Sequence, residues 1–227
     1  LYLHRRYHPF VGAPPMAVPL SRLGPKLCLL AQSAVAAAAH SYAPYSRFTV
    51  GAALLHEDDA ITIGANVENC VYQSCCAERA AIVAANAKGY RRATAVAVFG
   101  RPKDYIAGPR DAQNVCTPCG VCRQLLYELR CLSGRSLPIV LVTTDGLHAE
   151  TTSIDDLLPR PFGPQDVGID VAQWNTGTSE RPTTTRTSSK ITAVRKGGAS
   201  SKREPNAQKA PAASCGLKKR STARAAK

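Results

Sequence analysis

Apolar residues recur at helical spacing early in the chain, at Leu27, Leu30, Ala31, Ala34, Val35 and Ala38. That spacing predicts a helix over residues 26–41, which Pro44 stops from running on. Residues 48–55 are apolar in both phases of the alternation, Val50, Ala52 and Leu54 against Gly51, Ala53 and Leu55. A strand covered on two faces reads this way. Glu57-Asp58-Asp59 supplies a turn, and Ile61, Ile63, Ala65 and Val67 alternate as a second strand, so the two segments predict a hairpin. An alanine-dominated helix is expected over 76–88, closed by Gly89 at the position after its cap. A continuously apolar strand follows at 93–99, then a polar loop over 100–115. A helix over 119–132 has Val121, Leu125, Leu126, Leu129 and Leu132 on one face, with Pro118 just ahead of it, where a missing N–H does least harm. A buried strand at 138–143 and a helical turn at 154–158, ended by Pro159, complete the pattern. The order β-β-α-β-α-β after a first helix predicts an α/β fold, a sheet with helices on both faces.

The flanks differ from this core. Residues 1–25 hold five prolines, with His4, Arg5, Arg6 and His8, and read as an irregular lead-in. The first residue is Leu and the sole methionine is Met16, so a fragment, or a start at Met16, is expected. The lead-in lacks Asp and Glu, as organellar presequences do, but its prolines oppose an amphipathic helix. Residues 176–227 carry Thr, Ser, Lys, Arg, Ala and Pro with almost no large apolar side chain, and predict a disordered tail. The expected folded core is therefore residues 26–175.

Charge follows the same boundary. Of 29 Lys and Arg and 16 Asp and Glu, residues 176–227 hold 13 and 2. The remainder has 16 basic and 14 acidic residues, a net +2, so the overall +13 describes the tail and does not make the core a nucleic-acid binder. Nine cysteines, an odd count, cluster at 70–76 and 116–122. With no signal-peptide pattern and an apolar run over 27–39 too short to span a bilayer, they suggest free thiols in a reducing, cytoplasmic compartment.

Those thiols carry the candidate chemistry. Zinc catalysis needs three protein ligands, an open fourth position and a nearby proton carrier. Cys76, Cys119 and Cys122 can be the ligands and Glu78 the carrier. Cys119 and Cys122 fall on one side of the first turn of a helix, and Cys76 opens another. If both helix starts converge, their positive ends offset the charge of three thiolates, and Arg79 can hydrogen-bond a ligand sulfur. Alternatives stand beside this reading. A Cys-x-x-Cys pair also serves structural zinc or redox chemistry, and Cys116, Cys119 and Cys122 form a double repeat that suits an iron–sulfur site. Cys75 and Cys116 could replace a chosen ligand. Cys28, Cys70, Cys131 and Cys215 read as packing or tail residues.

Several blocks resemble one family, the small homotetrameric nucleoside cytidine deaminases. They are Ala43-Pro44-Tyr45-Ser46-Arg47-Phe48 with Val50-Gly51-Ala52-Ala53, Asn66-Val67-Glu68-Asn69, Cys76-Ala77-Glu78-Arg79, Pro118-Cys119-Gly120-Val121-Cys122-Arg123-Gln124, and Leu158-Pro159 with Phe162-Gly163-Pro164. The resemblance covers about residues 20–170. It implies a three-layer α-β-α sandwich with a mixed five-stranded sheet, a bound Zn²⁺, and hydrolytic deamination of cytidine and deoxycytidine in pyrimidine salvage. By the same likeness a zinc-bound hydroxide attacks C4 while Glu78 carries protons to N3 and to the leaving amine. Asn66 and Glu68 would hold the ribose 3′-hydroxyl, Phe48 would lie beside the base and Tyr45 near the sugar. Ala77 would also contact substrate, and Phe162 would reach a neighbouring subunit's pocket. One departure stands out: only Gln73, Ser74 and Cys75 separate Tyr72 from Cys76, one residue fewer than the family pattern. Competing readings are a nucleic-acid cytosine deaminase or binder tethered by the basic tail, a deaminase of a cytosine-containing antibiotic, and a structural zinc module.

Overall fold

The computed structural model describes residues 16–174. The expected tail with Cys215, and most of the expected lead-in, lie outside the described residues.

Six strands form one sheet in the order β1-β6-β5-β4-β2-β3. β2 (Phe48–Leu55) and β3 (Ile61–Ala65) are the expected hairpin, and β2 also pairs antiparallel with β4 (Ala95–Pro102). β4 and β5 (Pro138–Val142) form the one parallel pair among the named strands, and β5 continues antiparallel into β6 (His148–Ser153). β1 (Val18–Pro19) closes the far edge against β6. The sheet is thus mixed, but with six strands rather than the five expected.

Two of the six, β6 and β1, are absent from the four strands read from the apolar pattern, for physical reasons. β6 is His-Ala-Glu-Thr-Thr-Ser, a polar segment in which Ala149 alone is fully buried, so it has no apolar alternation to read. β1 is two residues long. Just after it Leu20 and Leu23 are buried in the core, so packing begins ahead of the boundary expected at residue 26.

The alternation of apolar positions separates two cores. Ala53, Leu55, Ala95, Ala97, Phe99, Val140 and Val142 face α1 (Pro25–Ala37). Ala52, Leu54, Val96, Val98, Ile139 and Leu141 face the other way, toward α2 (Ala77–Ala87), α3 (Gly120–Ser133) and α4 (Ile154–Leu157). This is the three-layer arrangement, with one helix on one face and three on the other. Two glycines set how closely the helices lie. A Cβ at Gly51 would sit 2.1 Å from the Ala34 carbonyl oxygen in α1, and one at Gly64 would sit 2.3 Å from the Ala81 nitrogen in α2. The helices meet the sheet there with alanines (Ala31, Ala34, Ala37; Ala77, Ala81, Ala85), all buried.

α1 ends at Ala37 and continues as a 3-10 turn to His40, short of the expected residue 41. In α3 the buried face is Cys122, Leu126, Tyr127 and Leu129, whereas Val121 is exposed. The heptad-like spacing placed Val121 one position off that face. α3 ends at Gly134, whose φ of 64° is the left-handed conformation that glycine adopts without strain.

Candidate active site

Cys76 is the N-cap of α2 and Cys119 the N-cap of α3, and Cys122 lies in the first turn of α3. The three sulfurs lie within 4.8 Å of one another, and Cys76 Sγ is 3.8 Å from Cys119 Sγ. Four thiolate-type ligand directions around zinc, with bonds of about 2.3 Å, require sulfurs about 3.8 Å apart, so the cluster fits the ion. Cys122 is buried and Cys119 exposed, which leaves one side of the cluster open. Neither N-cap side chain bonds its own helix, so the sulfurs are not engaged as caps. Helix starts leave free N–H groups, and the partial positive charge at the starts of α2 and α3 favours thiolate at Cys76 and Cys119. Cys75 and Cys116 stand outside the cluster.

Without metal, the sulfurs share protons unequally. The Cys122 thiol hydrogen-bonds Cys76 and lowers its pKa to about 6, and Cys122 itself is pushed up by the same bond and by burial. Glu78, in the first turn of α2, is 4% exposed. Burial raises its carboxyl above the ordinary range, and a hydrogen bond with Cys122 partly opposes that. A carboxyl beside the cluster and reluctant to ionise is suited to holding and passing on a proton. Arg79 is half-buried and its charge helps lower Cys76, but it acts through space rather than through the expected hydrogen bond to sulfur.

The second cysteine pair is anchored by a residue to which the sequence reading gave no role. Arg123 Nε donates to the Pro118 carbonyl at 2.9 Å, and its Nη1 donates to the Leu157 carbonyl at 3.0 Å. It ties the turn before Cys119 to α4. The next residue, Gln124, donates from Nε2 to the Phe162 carbonyl at 2.6 Å. The signal was available, since an arginine one position after a ligand cysteine on a short helix turn has nearby carbonyls to bind.

Asn66 and Glu68 already have partners within the chain. Asn66 Oδ1 accepts from the Val50 N–H at 2.8 Å and Nδ2 donates to the Phe48 carbonyl at 2.9 Å, so its amide extends the β2–β3 ladder by one side chain. Glu68 Oε2 accepts from the backbone N–H groups of Tyr45 (2.9 Å) and Ser46 (3.2 Å). Hydrogen bonds from Ser46 and these amides hold the Glu68 carboxyl below its ordinary range, although burial opposes them. Tyr45, Ser46, Glu68, Asn69, Tyr72 and Ser74 line a cavity of about 340 Å³. In the segment before Cys76, Tyr72 takes a φ of 59° and its ring lies 5.9 Å from that of Tyr45. Ala77 is fully buried at the first position of α2. Phe162 is 65% exposed.

Comparison with known proteins adds to this geometry. The family model described as the cytidine and deoxycytidylate deaminase zinc-binding region matches residues 26–133. A cytidine deaminase of Sporosarcina psychrophila is 37% identical over 134 residues, which are 59% of this chain and 88% of that protein. A cytidine deaminase of Mycobacterium tuberculosis is 38% identical over 141 residues, 61% of this chain and 91% of that protein. Among solved structures, the cytidine deaminase of Burkholderia pseudomallei is 40% identical with a TM-score of 0.50, over 59% of this chain and 97% of that one.

Proposed function

The chain belongs to the cytidine deaminase family, and from that premise we propose that it converts cytidine and deoxycytidine to uridine and deoxyuridine with release of ammonia. The observation that carries this reading is the buried carboxyl of Glu78 beside three converging sulfurs.

The balance of the reaction fixes what Glu78 must do. A C4–O bond forms from water, the C4–N bond breaks, and the two water protons end on the ring and on the departing nitrogen before ammonia leaves. Cys76, Cys119 and Cys122 would hold zinc, which when bound would supply the Lewis acidity that makes water a nucleophile. Glu78 accepts the proton that water gives up, passes it to N3, and then protonates the amine. Its burial raises its affinity for that proton above that of an ordinary carboxylate, which suits a group that holds a proton between transfers. The α2 and α3 N-termini withdraw charge from the sulfurs, and Arg79 adds to that field. Phe48 lies beside the base and Ala77 borders it. Tyr45, Asn66 and Glu68 face the sugar, with Glu68 oriented by the 45–46 amides.

The same reading makes the protein a cytoplasmic enzyme of pyrimidine salvage that works as a homotetramer. α2 supports self-association: its sequence AERAAIVAANA carries no charge beyond the first turn, and Val83 on its outer side is 61% exposed. A helix with no polar face is normally covered. Phe162 would enter a neighbour's pocket. Among the described residues no helix is long and apolar enough to cross a membrane. The catalytic domain takes in residues 18–25 ahead of the 26–175 core, with 176–227 as a basic appendage.

The test is a spectrophotometric assay of the purified chain on cytidine, deoxycytidine, cytidine monophosphate and a single-stranded oligonucleotide, with and without residues 177–227. Turnover of the two nucleosides, independent of the tail, is expected. Turnover of the oligonucleotide alone overturns the proposal.

A further inference from the structure

Phe48 and Gly100 lie on the same face of the sheet. Phe48 pairs with Pro102 and Val50 with Gly100, and Gly100 follows Val96 and Val98 in the phase that faces α2 and α3. Both helices begin at the sulfur cluster on this face. A Cβ built on Gly100 would meet Cys116 Sγ at 2.8 Å, Phe48 Cε1 at 2.9 Å and Cys116 Cβ at 3.0 Å. Two side chains from separate segments therefore share the volume that any other residue at 100 would fill.

The Cys116 side of that recess does not give freely. The segment carrying Cys116 is pinned on both flanks. Val115 bridges Thr143, the Thr144 N–H donates to the Asn114 carbonyl at 2.8 Å, and Pro118 is buried with its carbonyl held by Arg123. Cys119 in the cluster follows directly. Glu78, Cys76 and Cys119 all act electrostatically on Cys116, which puts its thiol next to the site.

We propose that Gly100 is a positioning residue for the reaction: its missing side chain leaves the recess in which the Phe48 ring and the Cys116 thiol lie together as one wall of the base pocket. This rests on the reading above, in which Phe48 lies beside the base. A larger residue at 100 pushes the ring into the space the pyrimidine needs, so binding of the base suffers while zinc and Glu78 stay where they are. Misplacement by about 1 Å costs up to about 10²-fold in such sites.

The experiment is steady-state kinetics on cytidine for the wild type, Gly100→Ala, and Gly100→Ala combined with Cys116→Ala, with zinc content measured on each. Gly100→Ala should raise KM about tenfold with kcat within about threefold and zinc unchanged, and removing the Cys116 sulfur should return KM to within about threefold of wild type. A general loss of folded enzyme would lower kcat and leave KM alone. A wild-type KM in Gly100→Ala, or a raised KM that Cys116→Ala does not relieve, overturns the proposal. Should Gly100→Ala fail to fold, Cys116→Met crowds the same wall from the other side. A raised KM in that variant supports the proposal and an unchanged KM overturns it. If the wild type does not deaminate cytidine, the functional reading falls and this inference with it. With an active wild type, an unaltered KM removes this inference alone.

Discussion

Cys76 and Cys119 hold matching places in two different helices, each the N-cap, and their sulfurs stand 3.8 Å apart. The sheet achieves this by setting α2 and α3 side by side on one face with their starts at the same end. Two positive helix ends then bear on one cluster, which is what a three-thiolate site needs if it is to acidify water.

Metal affinity should therefore depend on pH in a definite direction. In the metal-free protein Cys76 titrates near 6 while Cys122 is held well above the ordinary thiol range. At pH 7 zinc finds one sulfur largely ionised and must displace a proton from Cys122, so binding releases protons and strengthens as pH rises. Below pH 6 Cys76 is protonated as well and affinity should fall more steeply. Zinc titration by calorimetry in buffers of different ionisation enthalpy measures the protons released. A pH-independent affinity with no proton release would contradict this.

The two crowded glycines separate stability from metal binding. Alanine at either position forces a helix off the sheet and should cost about 1–3 kcal/mol or more. At Gly51 the clash is with α1, on the face away from the cluster. At Gly64 it is with Ala81 N and Ala77 O, in the turn next to Cys76. Gly64→Ala should weaken zinc retention against a chelator as well as lower the melting temperature, and Gly51→Ala should lower the melting temperature alone. Equal zinc loss in both would show that α2 placement does not govern the site.

Much of this was legible from the chain. The two-phase alternation of 48–55 announced a strand buried on both faces, and the spacing of Cys76, Glu78, Cys119 and Cys122 announced the cluster. β6 was not, because an inner-sheet strand built from His, Glu and Thr lacks an apolar rhythm. The Asp145-Gly146 pair before it is a hairpin signal that points to it. Gly100 escaped for another reason: the side chains that crowd it come from distant segments, which no local spacing reveals; for Arg123 the nearby Pro118 carbonyl was within local reach, but the Leu157 carbonyl, 34 residues on, was not.

His56 should make stability fall on mild acidification. Its ring is 2% exposed, stacks on Tyr90 at 3.9 Å between centroids, and places Nδ1 2.9 Å from the Arg92 carbonyl oxygen and Nε2 3.0 Å from Thr62 Oγ1. Burial lowers its pKa, against the opposing hydrogen bond to Arg92 and the nearby Asp58 charge. The unfolded chain then binds the proton more readily, so stability is full above the unfolded pKa of about 6.5 and declines as pH falls through that value. Chemical denaturation between about pH 7.5 and pH 5.5 should show that decline, and His56→Gln should flatten it. A wild-type slope that survives in His56→Gln would assign the effect elsewhere.

The whole account turns on Glu78 as the proton carrier and not as a zinc ligand or packing group. The direct measurement is kcat for cytidine and zinc stoichiometry on one preparation of Glu78→Gln. A fall in kcat of about 10²–10⁴-fold with one zinc still bound per chain is the result expected of a general acid–base group. Zinc lost together with activity, or turnover close to wild type with zinc in place, would contradict it.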